Sequence, residues 1–126
     1  MNKIALVVDD EESARDVVTL LFKSMGFDVK TAQEGKEALE ILRKNTVAII
    51  FLDLAMPVMT GEELMRAMAQ DEKLRTIPIV IDTAQGRGTG RLEKVQEEFS
   101  DKLSFKCFTR PGSIAVLKTT VEELLK

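Results

Sequence analysis

Ile49-Ile50-Phe51-Leu52-Asp53-Leu54-Ala55-Met56-Pro57 decides the fold. An unbroken apolar run, rich in β-branched and aromatic residues, stops on a carboxylate. Such a run reads as a strand buried on both faces. Pro57 and Gly61 mark an irregular loop beyond it. Asp53 is thereby predicted at the carboxyl end of a central strand, where open α/β sheets bind their ligands. The plain alternative is an acid that only caps the next loop.

Working outward, Ile4-Ala5-Leu6-Val7-Val8 repeats the pattern, a buried strand that ends on the acids Asp9, Asp10 and Glu11. Ser13 to Met25 is predicted as a helix: Ala14, Val17, Val18, Leu21 and Met25 recur at helical spacing, and Gly26 suits its stop. Phe27 to Ala32 alternates as an edge strand does. Helices are predicted over Glu37–Lys44 and Gly61–Gln70, flanking the strand Val47–Leu52, with the methionines of the second as core fillers. Pro78 opens a fourth strand that runs through Ile81, since proline is tolerated at a strand's first position. Leu92–Phe99 is a helix, Leu103–Phe108 a fifth strand, and Ser113–Leu125 a closing helix with Ser113 as N-cap. Between the fourth strand and the next helix, Gln85 to Arg91 carries glycines at 86, 88 and 90. The stretch matches no Gly-rich phosphate fingerprint and is predicted to be a flexible loop.

Strand and helix alternate five times. The expected fold is α/β, a doubly wound five-stranded parallel sheet with helices on both faces and right-handed crossovers. The 126 residues suffice for one domain, 1–126, with one core. A net charge of -3 gives no reason to expect a nucleic-acid surface. A single cysteine, Cys107, excludes an intrachain disulfide, and the absence of histidine excludes histidine catalysis and histidine-ligated zinc. No stretch is long enough to span a bilayer, and no signal peptide is evident, so the expected location is the cytoplasm, with no membrane partner.

In such a sheet the strand ends converge on one edge. That edge collects Asp9, Asp10, Asp53, Thr83 and the Arg110-Pro111 end of the fifth strand. Clustered carboxylates repel one another unless a cation joins them. Oxygen donors without histidine or cysteine suit a hard ion, Mg2+ first. A carboxylate there can serve as a nucleophile toward a phosphoryl group, with the Thr83 hydroxyl and the Arg110 guanidinium to hold its oxygens. The residues alone thus suggest metal-assisted phosphoryl chemistry on an aspartate.

With these stretches in view, the chain resembles the response-regulator receiver domain of two-component signalling over essentially its whole length. Val7-Val8-Asp9-Asp10-Glu11 resembles the family's acidic pair. The stretch from Asp53 to Gly61 resembles its phosphoacceptor loop, the most specific match, and Thr83-Ala84 its switch hydroxyl with the small neighbour. The resemblance implies a flavodoxin-like sheet in the order 2-1-3-4-5. It implies that Asp53 accepts phosphate from a sensor histidine kinase or histidine phosphotransferase. Asp10, Asp53 and the Ala55 carbonyl then bind magnesium directly, and Asp9 helps through water. Thr83 turns toward the phosphoryl group and shifts the face of the fourth helix, fifth strand and fifth helix, which an unknown downstream protein reads. The chain is then no enzyme beyond its own phosphorylation and dephosphorylation.

Two departures stand out. The family has lysine-proline after the fifth strand, and this chain has Arg110-Pro111. Lys106 is a rival by spacing, but it lies about 13 Å back along an extended strand. Arginine is larger and planar where lysine is a compact point charge. Cys107 stands where the family often has the aromatic residue that couples to the switch hydroxyl, and a small buried apolar role on the strand is expected for it. Weakened coupling follows from both. Asp82 is an unexplained acid in an apolar strand. The main competitor is a receiver-like adaptor that binds partners without Asp phosphorylation. A hydrolase with an aspartate nucleophile would usually carry a second acid at position 55, where this chain has Ala55.

Overall fold

A computed structural model describes residues 3–54, 56, 58–82, 90–108 and 113–126. Strand and helix alternate: β1 (Ile4–Val8), α1 (Glu12–Ser24), β2 (Asp28–Ala32), α2 (Gly35–Lys44), β3 (Val47–Asp53), α3 (Gly61–Ala69), β4 (Ile79–Asp82), α4 (Arg91–Phe99), β5 (Phe105–Phe108) and α5 (Ile114–Leu124). All the strand pairs are parallel, in the order β2-β1-β3-β4-β5. This is the order and fold class expected from the sequence.

The two-residue period of the central strands sorts their side chains into two layers. Leu6, Val8, Ile50, Leu52 and Ile81 pack on one face with residues of α2, α3 and α4, among them Leu39, Met65 and Phe99. Ala5, Val7, Phe51, Val80 and Phe108 pack on the other with Val18 and Phe22 of α1 and Leu117 and Val121 of α5. Both faces are covered, which is why β1, β3 and β4 read as unbroken apolar runs. No helix among the described residues is long and apolar enough to cross a membrane.

The boundaries differ where a local contact moves them. α2 starts at Gly35, ahead of the expected Glu37, because the Glu34 carboxylate caps it by accepting the Glu37 N–H at 2.5 Å. β5 starts at Phe105, and Leu103 is instead buried in the turn that closes α4, its N–H bonded to the Phe99 carbonyl. The inward stripe of α1 is Ala14, Val18, Leu21 and Phe22, and Val17 is exposed. A short 3-10 turn, Leu74–Thr76, was too brief for periodicity to reveal; the Asp71 carboxylate caps it by accepting the N–H groups of Lys73 and Leu74.

α3 begins where the fold needs it to. Thr60 and Glu63 form a reciprocal capping box, Thr60 Oγ1 accepting the Glu63 N–H and the Glu63 carboxylate accepting the Thr60 N–H. The backbone Thr60 bond is the main reason the Glu63 carboxyl lies below its usual range. Gly61 permits the helix to abut the end of β3: a Cβ there would lie 2.7 Å from Leu54 Cα and 2.8 Å from the Asp53 carbonyl oxygen. The Gly61 N–H bonds the Leu54 carbonyl at 3.0 Å.

Candidate functional site

The carboxyl edge of the sheet carries a row of acids. Val8 pairs with Leu52, which sets Asp9 one step beyond the register, level with Asp53; Asp53 in turn pairs with Asp82. Asp9, Asp53 and Asp82 are 3%, 3% and 5% exposed, and Asp10 is open to solvent. One carboxylate oxygen from each of Asp9, Asp10 and Asp53 lies within 4.8 Å of the others.

Local bonds fix these groups. The Asp9 carboxylate accepts the Glu11 N–H at 3.0 Å, which turns the chain from β1 into α1. Arg15, one turn into α1, donates from Nη1 to the Asp9 carbonyl at 2.8 Å. The Asp9 N–H donates to Ala32 at 3.1 Å, prolonging the β1–β2 pairing. The strand end of Asp53 is held by its neighbour: the Leu54 carbonyl accepts from Gly61 and also from Arg91 Nη2 at 2.6 Å. Arg91 at the same time grips Glu62, with Nη2 on Oε1 at 2.6 Å and Nε on Oε2. The hydrogen bond to Glu62 holds the Arg91 guanidinium above its ordinary pKa, and the Asp53 carboxylate adds to the effect.

Of the residues singled out in the sequence, Asp9, Asp10 and Asp53 are brought together. Thr83, Arg110 and Ala55, and the Gln85–Thr89 part of the glycine loop, lie outside the described residues. Lys106 is directed elsewhere: it sits level with Val80, below the strand ends, and pairs with Glu123 of α5. Cys107 is half-buried against the α2–α4 layer, and burial raises its thiol pKa. Arg91, Glu62 and Arg15 were not legible as site residues. Asp82 was noticed only as an unexplained acid, although Ile79-Val80-Ile81-Asp82 ends on an acid just as the β3 run does.

Three close carboxylates without nitrogen or sulfur donors fit a hard divalent cation, which relieves their mutual repulsion. The arrangement presents a buried carboxylate, Asp53, beside two further acids that together could hold a cation.

Residues 5–117 match the model of the response regulator receiver domain. The chain is 29% identical over 122 residues to the chemotaxis protein CheY of Pseudomonas aeruginosa, covering 96% of this chain and 94% of that one. It is 34% identical over 117 residues to the two-component response regulator ORR11 of Oryza sativa subsp. indica, covering 92% and 78%. Among solved structures, the chemotaxis protein CheY4 of Vibrio cholerae superposes with a TM-score of 0.83 at 29% identity, covering 99% of this chain and 100% of that one.

Proposed function

The chain belongs to the response regulator receiver domain family, and on that premise we propose that it is a phosphorylation-dependent signalling receiver whose phosphoacceptor is Asp53. The observation that carries this reading is a buried carboxylate at the end of β3 with the Asp9 and Asp10 oxygens within 4.8 Å. The donor is a phosphohistidine of a sensor histidine kinase or histidine phosphotransferase. A carboxylate oxygen of Asp53 attacks phosphorus; the new O–P bond forms as the P–N bond breaks, and its electron pair returns to the imidazole nitrogen. The hold on Leu54 from Gly61 and Arg91 keeps the Asp53 backbone in place for this attack. Asp10, Asp53 and the Ala55 carbonyl, with Asp9 in support, would hold magnesium, and the ion would supply charge neutralisation there. Thr83 and Arg110 are the groups we assign to the phosphoryl oxygens. The cytoplasm is the location this partnership requires.

Cys107 favours a second reading, an adaptor that binds its partners without phosphorylation. A small thiol packed on β5 cannot swing between buried and exposed positions as a ring does. One experiment separates the two: intact-mass measurement after incubation with acetyl phosphate and magnesium. The receiver gains one phosphate, and Asp53→Ala gains none. No gain in the native chain favours the adaptor, and a gain that persists in Asp53→Ala places the acceptor elsewhere.

A further inference from the structure

The first residue of α4, Arg91, joins three parts of the molecule through one side chain. Its guanidinium forks onto Glu62 in the first turn of α3 and also donates to the carbonyl of Leu54, the residue after Asp53. The site is shielded, with the Arg91 and Glu62 side chains 27% and 17% exposed. Among the described residues α4 has no side-chain cap at this end; it enters from Gly90, whose φ is 77°. The Arg91 side chain therefore anchors the start of α4 to the loop that follows Asp53.

A second ion pair joins the same two helices. Arg66 of α3 forks onto Glu98 of α4 at 2.6 and 2.9 Å, with side chains 52% and 33% exposed. The described bonds of that pair reach no loop carbonyl, and exposed pairs of this kind contribute little. It is a natural control within the same helix interface.

From this geometry we infer that Arg91 is a positioning residue through which the charge on Asp53 is read by the start of α4. The inference rests on the phosphorylation of Asp53 proposed above. Phosphorylation turns one negative charge into about two, in a place whose field already acts on Arg91. Glu62 and the phosphoacceptor loop then compete for a single cation. A shift of that cation toward the loop carries with it the backbone of α4, to which it is covalently fixed. One guanidinium held between the Glu62 carboxylate and the Leu54 carbonyl, with the added charge on Asp53 drawing it toward the loop, makes an element with two arrangements, which is what coupling between sites needs. The route runs from the phosphoacceptor loop to α4 without passing through β5 and Cys107.

The test is amide hydrogen exchange over Arg91–Phe99, with and without acetyl phosphate and magnesium, while intact mass reports phosphate on the same samples. In the native chain, exchange at the start of α4 changes by about fivefold on phosphorylation. Arg91→Gln takes up phosphate, yet its α4 exchanges alike in both states. Glu62→Gln exchanges faster than native before any phosphate is added. Arg66→Gln responds as the native chain does, which a general loosening of the α3–α4 interface would not allow. Phosphate without an α4 response in the native chain, or a full response in phosphorylated Arg91→Gln, overturns the inference alone. No phosphate in the native chain overturns both it and the proposed function. If Arg91→Gln does not fold, Glu62→Gln decides: unphosphorylated exchange equal to native overturns the inference, and faster exchange supports it.

Discussion

Asp82, the last residue of β4, lies in register beside Asp53, the last residue of β3, and both are buried. Strand alternation turns both toward the side of the sheet that carries Phe51 and Val80. Adjacent strands are only about 4.8 Å apart, so the field of Asp82 reaches the cation site proposed at Asp53, Asp9 and Asp10. Even at the dielectric of water, a carboxylate and a divalent ion about 8 Å apart attract by about 1 kcal/mol. Asp82→Asn is therefore expected to weaken magnesium binding about fivefold, whereas Asp10→Ala abolishes it. Titration calorimetry reads both; unchanged affinity in Asp82→Asn would show that its charge is neutralised locally.

Val58 is the one described residue other than glycine with a positive φ, 67°. A β-branched side chain in the left-handed region costs about 1–2 kcal/mol, and Val58 is 80% exposed, so little packing offsets that cost. Asparagine accepts this conformation more readily. Val58→Asn is expected to raise the free energy of unfolding by about 1 kcal/mol. Urea denaturation measures it; a loss of stability would mean that the valine makes contacts worth more than its strain.

Cys107 should be a poor nucleophile. Burial raises its thiol above the usual 9.0, so at pH 8 the native chain holds less thiolate than the unfolded one. Iodoacetamide is expected to label the native protein more slowly than the protein in urea. The sign for stability follows: the contribution is complete below pH 9.0, the unfolded value, and is lost as pH rises through the higher folded value. Equal labelling rates in the two states would remove any basis for treating the thiol as buried and inert.

Much of this architecture is legible in local patterns. A strand buried on both faces must be apolar throughout, so Ile4–Val8 and Val47–Leu52 declare themselves, and the acids that end them mark the functional edge. The α2 boundary is hidden because its cap, Glu34, is not among the usual short capping side chains. The Arg91–Glu62 pair is hidden for a different reason: its partners are 29 residues apart, and a tertiary ion pair has no period to betray it. Asp82 had the same strand-end signature as Asp53, but its neighbour across the sheet becomes visible only with the register.

Ala55, two beyond the proposed phosphoacceptor, and Gln85, two beyond the proposed switch hydroxyl, occupy the positions where family resemblance places access for the hydrolytic water. The Ala55 methyl group can neither orient nor activate that water, so the phosphorylated form is expected to decay slowly. Ala55→Asn should speed the loss of phosphate from Asp53, followed by intact mass after the donor is removed. A longer lifetime in the variant would give this position the opposite sign.

Arg110 in place of the family's lysine bears on how far the signal spreads. A planar guanidinium can bond a phosphoryl oxygen through two donors, which favours one fixed pose, whereas an ammonium on a flexible stem can follow a moving group. Lys106 offers no substitute, being engaged with Glu123 on α5. Cys107 packs beside Ile81 in register and has no ring to swing. Phosphorylation should thus act on the start of α4 through Arg91 while leaving β5 and α5 nearly unchanged. In Arg110→Lys, hydrogen exchange over Phe105–Leu124 is expected to respond to phosphate more strongly than in the native chain. A native response over those residues already as large as that of the lysine variant would show that arginine transmits the signal as well as lysine, and weak coupling would be abandoned.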